Sequence, residues 1–336
     1  MAVFPTGKLP EQILRKYLSR VPGGDPAVLI RGAPGEDAAV LDTGGGKLLL
    51  VKSDPVTFAA DRPGWYAVQI NANDIATLGG RSRWFLATLL LPEAGAEERL
   101  VSALFEEIIA ACSALGVELI GGHTEITHGL ARPIVCGAML GEVSPERLCR
   151  KENARPGDRI LLSKKIAVEG TALLAREFTG RLAGNFSAEK IERAARYLYE
   201  PGISVVREAE LASATGHVRA MHDPTEGGLA TALHELAAAT GQGVAADLSA
   251  VPLYEETREF CAWLGLDPLG LIASGSLLII CDPAGAQEVN GALSAAGIVC
   301  TDIGELVPRE AGASEIIKGG SRPLLKFERD EICRLF

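Results

Sequence analysis

Five short stretches set acidic side chains beside glycine or proline at the edge of an apolar run, a company suited to metal and phosphate chemistry. GEDAAVL supplies Glu36 and Asp37 just ahead of its apolar residues, and VKSDPVTF supplies Asp54, with Pro55 expected to stop the strand there. In NANDIATLGG, Asn71 and Asp74 lie three apart and share a helix face, while Ile75 and Leu78 point to a core. GGHTEIT puts His123 and Glu125 two apart, on one side of an extended segment. HDPTEGGLATALHE sets Asp223 and Glu226 before two glycines and a helix whose apolar stripe is Leu229, Leu233 and Leu236. Each acid taken singly has a structural use: Asp54 as a turn former before proline, Asp74 as a solvated helix position, Asp223 as an N-cap.

Taken together they suggest more. Convergence of Asp37, Asp54, Asp74, Glu125 and Asp223 would demand a counter-charge. Magnesium, which takes oxygen ligands and keeps waters, is the natural one, and it bridges to the phosphates of a nucleotide. Bare backbone at Gly227 and Gly228 lets N–H groups approach phosphate oxygens, and the helix starting near Gly228 aims its positive end at the same place. Lys52, next to Asp54, either touches phosphate or, by strand alternation, faces solvent. His123, with a reference pKa near neutrality, is a general base or a hydrogen-bonding group within the site. Transfer of a γ-phosphoryl group to an amide-like or phosphate oxygen is mostly positioning and charge stabilisation, so acids with a metal suffice without a covalent nucleophile.

Competing signatures are missing. Gly46-Lys47 is followed by Leu48, so no phosphate-binding GxxxxGK[ST] loop exists, and the GxGxx[GA] pattern starting at Gly241 falls between a helix and a strand, as a turn would. HELAA lacks the second histidine of a metalloprotease helix, and no GxSxG occurs.

The elements that must position these residues alternate. Strands are expected at 47–53, 85–91, 117–122 and 133–140, and helices at 64–79 and 96–115, the latter spaced by Leu100, Val101, Leu104, Ile108, Cys112 and Leu115. Charge, Pro156 and Gly157 mark a boundary near 150, which divides the chain into domains 1–152 and 153–336. Beyond it, strands are expected at 159–163, 218–221, 244–247, 277–281 and 298–303, and helices at 188–199, 202–214, 228–240, 253–264 and 284–296. GKLP and AGASEIIKGGSRP read as loops.

A length of 336 residues fits about two domains. A formal charge of −10 disfavours nucleic acid as a partner, and no apolar run approaches a membrane span or signal peptide, so a cytoplasmic protein is expected. The seven cysteines contain no CxxC pair and read mainly as small buried hydrophobes. Cys333, in DEICRLF, is either an accessible thiol on a mobile tail or a cysteine packed under a docked terminal segment.

In this order the stations resemble the AIR synthase-related superfamily, which groups aminoimidazole ribonucleotide synthetase, thiamine-monophosphate kinase, selenophosphate synthetase and HypE-like hydrogenase maturation proteins. GEDAAVL is similar to the family's GDDAAV, SDP to its T-D-x, NANDIATLGGRSRWF to its N-D-[IV] segment, GGHTEIT to its G-[GD]-x-T, and HDPTEGGL to its D-[PV]-[TS]-x-G-G-L. ARPGDRILLSK resembles the opening of its second domain. The resemblance implies two α+β domains, a homodimer joined through the N-terminal domains, and ATP with Mg²⁺. It places Asp37, Asp54, Asp74 and Asp223 on metal positions. Lys52, Asn71, Asp74, Gly121, Gly122, Thr124, Thr225, Gly227 and Gly228 are the nucleotide-binding candidates. His123, Glu125 and Cys333 remain as catalytic candidates.

By overall texture the HypE-like group is nearest. Such enzymes phosphorylate the oxygen of a carbamoyl group carried on their own C-terminal cysteine, and a maturation partner protein is implied. The departures are Glu36 for the usual Asp, His123 for a family Asp, and a tail ending in E-I-C-R-L-F, with three residues after Cys333, where the family ends in P-R-I-C. Alternatives are a thiamine-phosphate-type kinase acting on a separate small molecule and a nucleotide-binding scaffold without catalysis.

Overall fold

The computed structural model describes Phe4 and residues 6–336. The chain divides into two compact units of mixed α and β structure. The N-terminal unit comprises Ala27–Arg31 and Asp37–Leu148; the C-terminal unit comprises Cys149–Phe336, Gly32–Glu36 and the described residues up to Pro26. Helix α1 (Glu11–Leu18) therefore belongs to the C-terminal unit.

The N-terminal unit is one sheet backed by two helices. Its strands are β1 (Val28–Ile30), β2 (Ala39–Asp42), β3 (Leu48–Val56), β4 (Arg81–Pro92), β5 (Glu118–Thr127) and β6 (Ile134–Val143), in the order β1-β2-β3-β6-β4-β5. All neighbours run antiparallel except β4 and β5, which are parallel because helix α3 (Glu98–Leu115) carries the chain back between them. Helix α2 (Pro63–Thr77) lies against β3, β4 and β6 beneath α3. Small residues such as Ala67, Ala72 and Ala76 let it approach closely, and it is buried on nearly every side.

Pro55 does not end its strand, contrary to expectation. β3 runs on to Val56, with Asp54 opposite Gly137 and Pro55 opposite Cys136. The pairing with β2 stops at Val51, so beyond it β3 has a neighbour on one side only, and a missing N–H can be tolerated there.

The C-terminal unit holds a second sheet of β7 (Arg159–Ser163), β8 (Val218–His222), β9 (Gly243–Ala246), β10 (Leu277–Cys281), β11 (Cys300–Val307), β12 (Ala313–Ile317) and β13 (Gly320–Pro323), ordered β13-β12-β9-β11-β7-β10-β8. Its helices are α4 (Val168–Glu177), α5 (Thr179–Leu182), α6 (Ala188–Ala195), α7 (Val206–Ala214), α8 (Gly228–Thr240), α9 (Glu255–Leu264) and α10 (Ala286–Ala295). The stripe of Leu229, Leu233 and Leu236 on α8 packs with Ile160, Leu162, Leu278, Ile280 and Ile303 as expected. Each such leucine contributes about 1.5–3 kcal/mol by leaving water.

The elements that went unforeseen include α4 and the β12–β13 hairpin. α4 has Val168 to Ala175 all buried, so it shows no polar face to mark its period. AGASEIIKGGSRP is the β12–β13 hairpin and not a loop; its polar, solvent-facing strands carry little apolar alternation. Among the described residues no helix is long and apolar enough to cross a membrane.

Candidate active site

In the N-terminal unit β3 and α2 bring acids and one lysine together. Lys52 and Asp54 are two apart on β3 and share a face; Asp74 reaches them from α2. The Lys52 ammonium lies 3.1 Å from Asp54 Oδ2 and 3.3 Å from Asp74 Oδ2. Its side chain is only 19% exposed, so it turns to the acids and not to solvent. Burial opposes its charge, but Asp74, Asp54 and Asp37 outweigh burial and hold its pKa above the ordinary lysine value. The counter-charge that the crowded acids demand is thus partly supplied by the chain itself.

Asn71 supports this arrangement from underneath. Fully buried, it accepts from the Asp54 N–H (2.9 Å) and donates to the Asp54 carbonyl (3.2 Å) and the Ala67 carbonyl (2.8 Å). Its amide braces the β3 backbone at Asp54. Gly137, opposite Asp54 on β6, is bare because a Cβ there would run into the Asn71 amide and the Phe85 ring. A mid-strand glycine in PIVCGAML was the available signal for that close approach.

GGHTEIT forms much of β5, the last strand in its sheet, and Gly121 through Ile126 are exposed. His123 Nε2 and Glu125 Oε2 sit 3.3 Å apart in solvent, with Thr124 exposed between them. Gly122 adopts φ +147°, and a side chain there would strike the Ala87 backbone of β4, whereas the space beside Gly121 is open. Packing on β4 is therefore enough to require glycine at 122.

Asp223 belongs to the C-terminal unit, so three of the four aspartates assigned to metal gather in one unit and the fourth lies in the other. It is buried at the head of the turn joining β8 to α8. Around that turn runs a chain of polar contacts absent from the sequence reading. Lys151 donates to the Gly35 carbonyl and lies 3.5 Å from His222 Nδ1; His222 Nε2 is 3.2 Å from Glu235. Lys8 reaches Thr225 Oγ1 (3.2 Å), Glu226 (3.5 Å) and Glu235 (3.4 Å). These partners are far apart in sequence, and no local pattern announces them.

The bare turn also has uses inside the protein. Gly227 (φ +82°) and Gly228 (φ +66°) take left-handed conformations, and a Cβ on Gly228 would collide with the backbone of Leu269 and Leu271. The Gly227 N–H donates to Asp330 Oδ2 at 2.6 Å. A carboxylate of the C-terminal tail thus takes a donor that the sequence suggested for phosphate.

That tail is docked, the second of the two alternatives for Cys333. Asp330 Oδ1 accepts from the Ile332 N–H (2.9 Å), and Glu331 accepts from the Asp267 N–H (2.9 Å). Arg181 holds the Leu335 carbonyl (2.8 Å), and the Phe336 ring meets Phe178 edge-on. Cys333 is 7% exposed, and burial together with the Asp330 charge pushes its thiol pKa up, so the docked thiol is a poor nucleophile. Below the tail, Glu169 at the start of α4 is pushed up to about 8 by burial, reinforced by Glu226 and Asp330 against a hydrogen bond from Ser274. Burial raises Asp330 to about 6 despite its backbone hydrogen bonds.

The sequence matches two domain families, AIR synthase related protein, N-terminal domain, over 35–143 and AIR synthase related protein, C-terminal domain, over 155–317. It is 33% identical to a carbamoyl dehydratase HypE of Azotobacter vinelandii over 72% of this chain and 68% of that protein. A crystal structure of the hydrogenase maturation protein HypE in complex with ATP superposes with a TM-score of 0.71 at 25% identity, covering 98% of each chain. HypE in a HypE–HypF complex has the same fold, with a TM-score of 0.75 at 20% identity over 95% of this chain and 100% of that one.

Proposed function

Because this chain belongs to the AIR synthase related protein family through both of its domains, we propose that it is an ATP-dependent enzyme of the HypE carbamoyl dehydratase kind, acting in hydrogenase maturation. The reaction is transfer of the γ-phosphoryl of Mg-ATP to an amide or carbamoyl oxygen. The observation that carries this reading is the gathering of Asp37, Asp54 and Asp74 about Lys52.

The donor set fits a hard divalent cation, since all three acids offer carboxylate oxygens. When bound by Asp37, Asp54 and Asp74, magnesium supplies neutralisation for the triphosphate. Lys52 offsets the repulsion among the acids and presents an ammonium to the oxygens where charge develops. Asn71 keeps Asp54 in register. His123 and Glu125 hydrogen-bond to acceptor or nucleotide from β5, and Gly121, Gly122, Thr124, Thr225, Gly227 and Gly228 belong to the nucleotide-binding loops.

The bond from the γ-phosphorus to the ADP oxygen breaks as one to the carbamoyl oxygen forms. That oxygen then leaves as phosphate while the nitrogen gives up its two protons, turning a thiocarbamate into a thiocyanate. Cys333 is the thiol proposed to carry the carbamoyl group, and a HypF-like maturation protein is the proposed partner, in keeping with the HypE–HypF complex. The decisive test is Asp74→Asn. Calorimetry with magnesium present should find ATP bound at least about tenfold more weakly with circular dichroism unchanged, a loss of about 1.4 kcal/mol or more. Unaltered affinity removes Asp74 from the site.

A homodimer is part of the same reading. β5 ends its sheet, and Ile120 and Ile126 on it are 50% and 59% exposed, an apolar edge that a second copy would cover. Light scattering should give twice the chain mass for the wild type and the single mass for Ile126→Lys; a wild-type monomer sinks the dimer.

A further inference from the structure

The tail is tied to the turn at one ionic point. Asp330 spends one carboxylate oxygen on the Gly227 N–H and the other on the N–H of Ile332, the residue before Cys333. A single side chain thereby fixes the turn and the start of the short helix, Glu331–Arg334, that carries the thiol. We propose that Asp330 is the positioning residue for Cys333: it latches the tail to the Gly227–Gly228 turn and holds the thiol closed, so that Cys333 reacts only when the latch opens.

Three observations support a latch over incidental packing. The two bonds differ in reach, one spanning 103 residues and the other two, so the carboxylate couples a distant turn to its own helix. The segment 270–274 ties the same parts together: Gly270 accepts from Glu331, the Ala273 N–H donates to Thr225, and Ser274 accepts from Glu169. Finally, the donor taken by Asp330 lies in the turn next to the start of α8, where an incoming anion would compete for it. Asparagine cannot replace the acid, because its one oxygen serves one N–H and its amide would face the other donor to donor.

This rests on the reading of Cys333 as acceptor, but its test does not. In Asp330→Asn, iodoacetamide should modify Cys333 at least about tenfold faster, the change in rate matching a tenfold rise in the open population. Buried Cys261 and Cys281, followed by peptide mass in the same sample, should stay unmodified. The Gly227 amide should exchange with deuterium faster. Arg181→Ala, which frees the Leu335 carbonyl but leaves Asp330 in place, should leave both readouts near wild type.

Equal Cys333 rates in wild type and Asp330→Asn overturn the proposal, as does Arg181→Ala exposing Cys333 equally. If Asp330→Asn also exposes Cys261 and Cys281, the variant has unfolded. The decision then passes to Arg181→Ala and to wild-type exchange, where a rapidly exchanging Gly227 amide overturns the latch and a slow one sustains it. Failure of the acceptor reading looks different: no mass gain at Cys333 with a carbamoyl donor, while the latch readouts hold.

Discussion

Each unit contains a crowd of buried and half-buried acids, and the two crowds are kept together by different means. In the N-terminal unit Asp37, Asp54 and Asp74 surround an ammonium whose charge they strengthen. In the C-terminal unit Asp330 and Glu226 flank Glu169, and there burial raises the pKa of Glu169 to about 8, so that it keeps its proton at neutral pH. On the proposed reading, the first solution leaves an ionic site whose lysine contacts would be exchanged for a bound cation. The second sets a protonated Glu169 beside the Asp330 carboxylate, a contact suited to holding a tail. A cluster balanced by a fixed positive charge is built for charged ligands, whereas one balanced by protons is built for closure.

The largest effect should come from removing the fixed charge. Lys52→Met leaves Asp54 and Asp74 facing each other without their shared partner, and breaking a buried ion pair on one side costs about 3–5 kcal/mol. Urea unfolding should show that loss, and millimolar magnesium should recover part of it, since a cation taking the lysine's place stabilises by mass action. A variant as stable as wild type, or one indifferent to magnesium, would erase the contrast between the two clusters.

How far each cluster could be read beforehand follows from how it is built. Asn71 and Asp74 were legible as neighbours because three residues along a helix fix which side chains share a face, whereas Asp54, expected just after its strand, lies within it. Lys52 was half legible, because its place beside Asp54 suggested phosphate while alternation could equally point it to solvent. Pro55 misled, since a proline ends a central strand but not one whose second neighbour has stopped. The C-terminal cluster had no such periodicity. Glu169 lies on a helix with no polar stripe, and Asp330 meets Gly227 across 103 residues, so its role exists only once the chain closes. The glycines of HDPTEGG were read as bare backbone for a phosphate to approach, and two of the things brought near them are the chain's own Leu269–Leu271 segment and its tail.

A smaller effect should expose the proton-balanced cluster. Glu169 has a folded pKa of about 8 against an ordinary value of 4.5, so between those limits the native state holds a proton that the unfolded chain has released. Stability therefore falls as pH rises from about 4.5 and levels off near 8, the reverse of a salt-bridged carboxylate. Glu169→Gln mimics the neutral acid at every pH. The variant should match wild type near pH 5 and exceed it by about 2–3 kcal/mol at pH 8, a conservative share of the shift at 1.36 kcal/mol per unit. Asp330, raised to about 6, adds a slope of the same sign at lower pH, and His217, raised by its hydrogen bond to Asp282, adds another near neutrality. Both residues are present in the two proteins, so the difference between their urea midpoints across pH 5–9 reports Glu169 together with its coupling to Asp330. A difference that stays flat would mean that Glu169 is ionised in the folded protein, and the C-terminal acids would then need a cation as the N-terminal ones do.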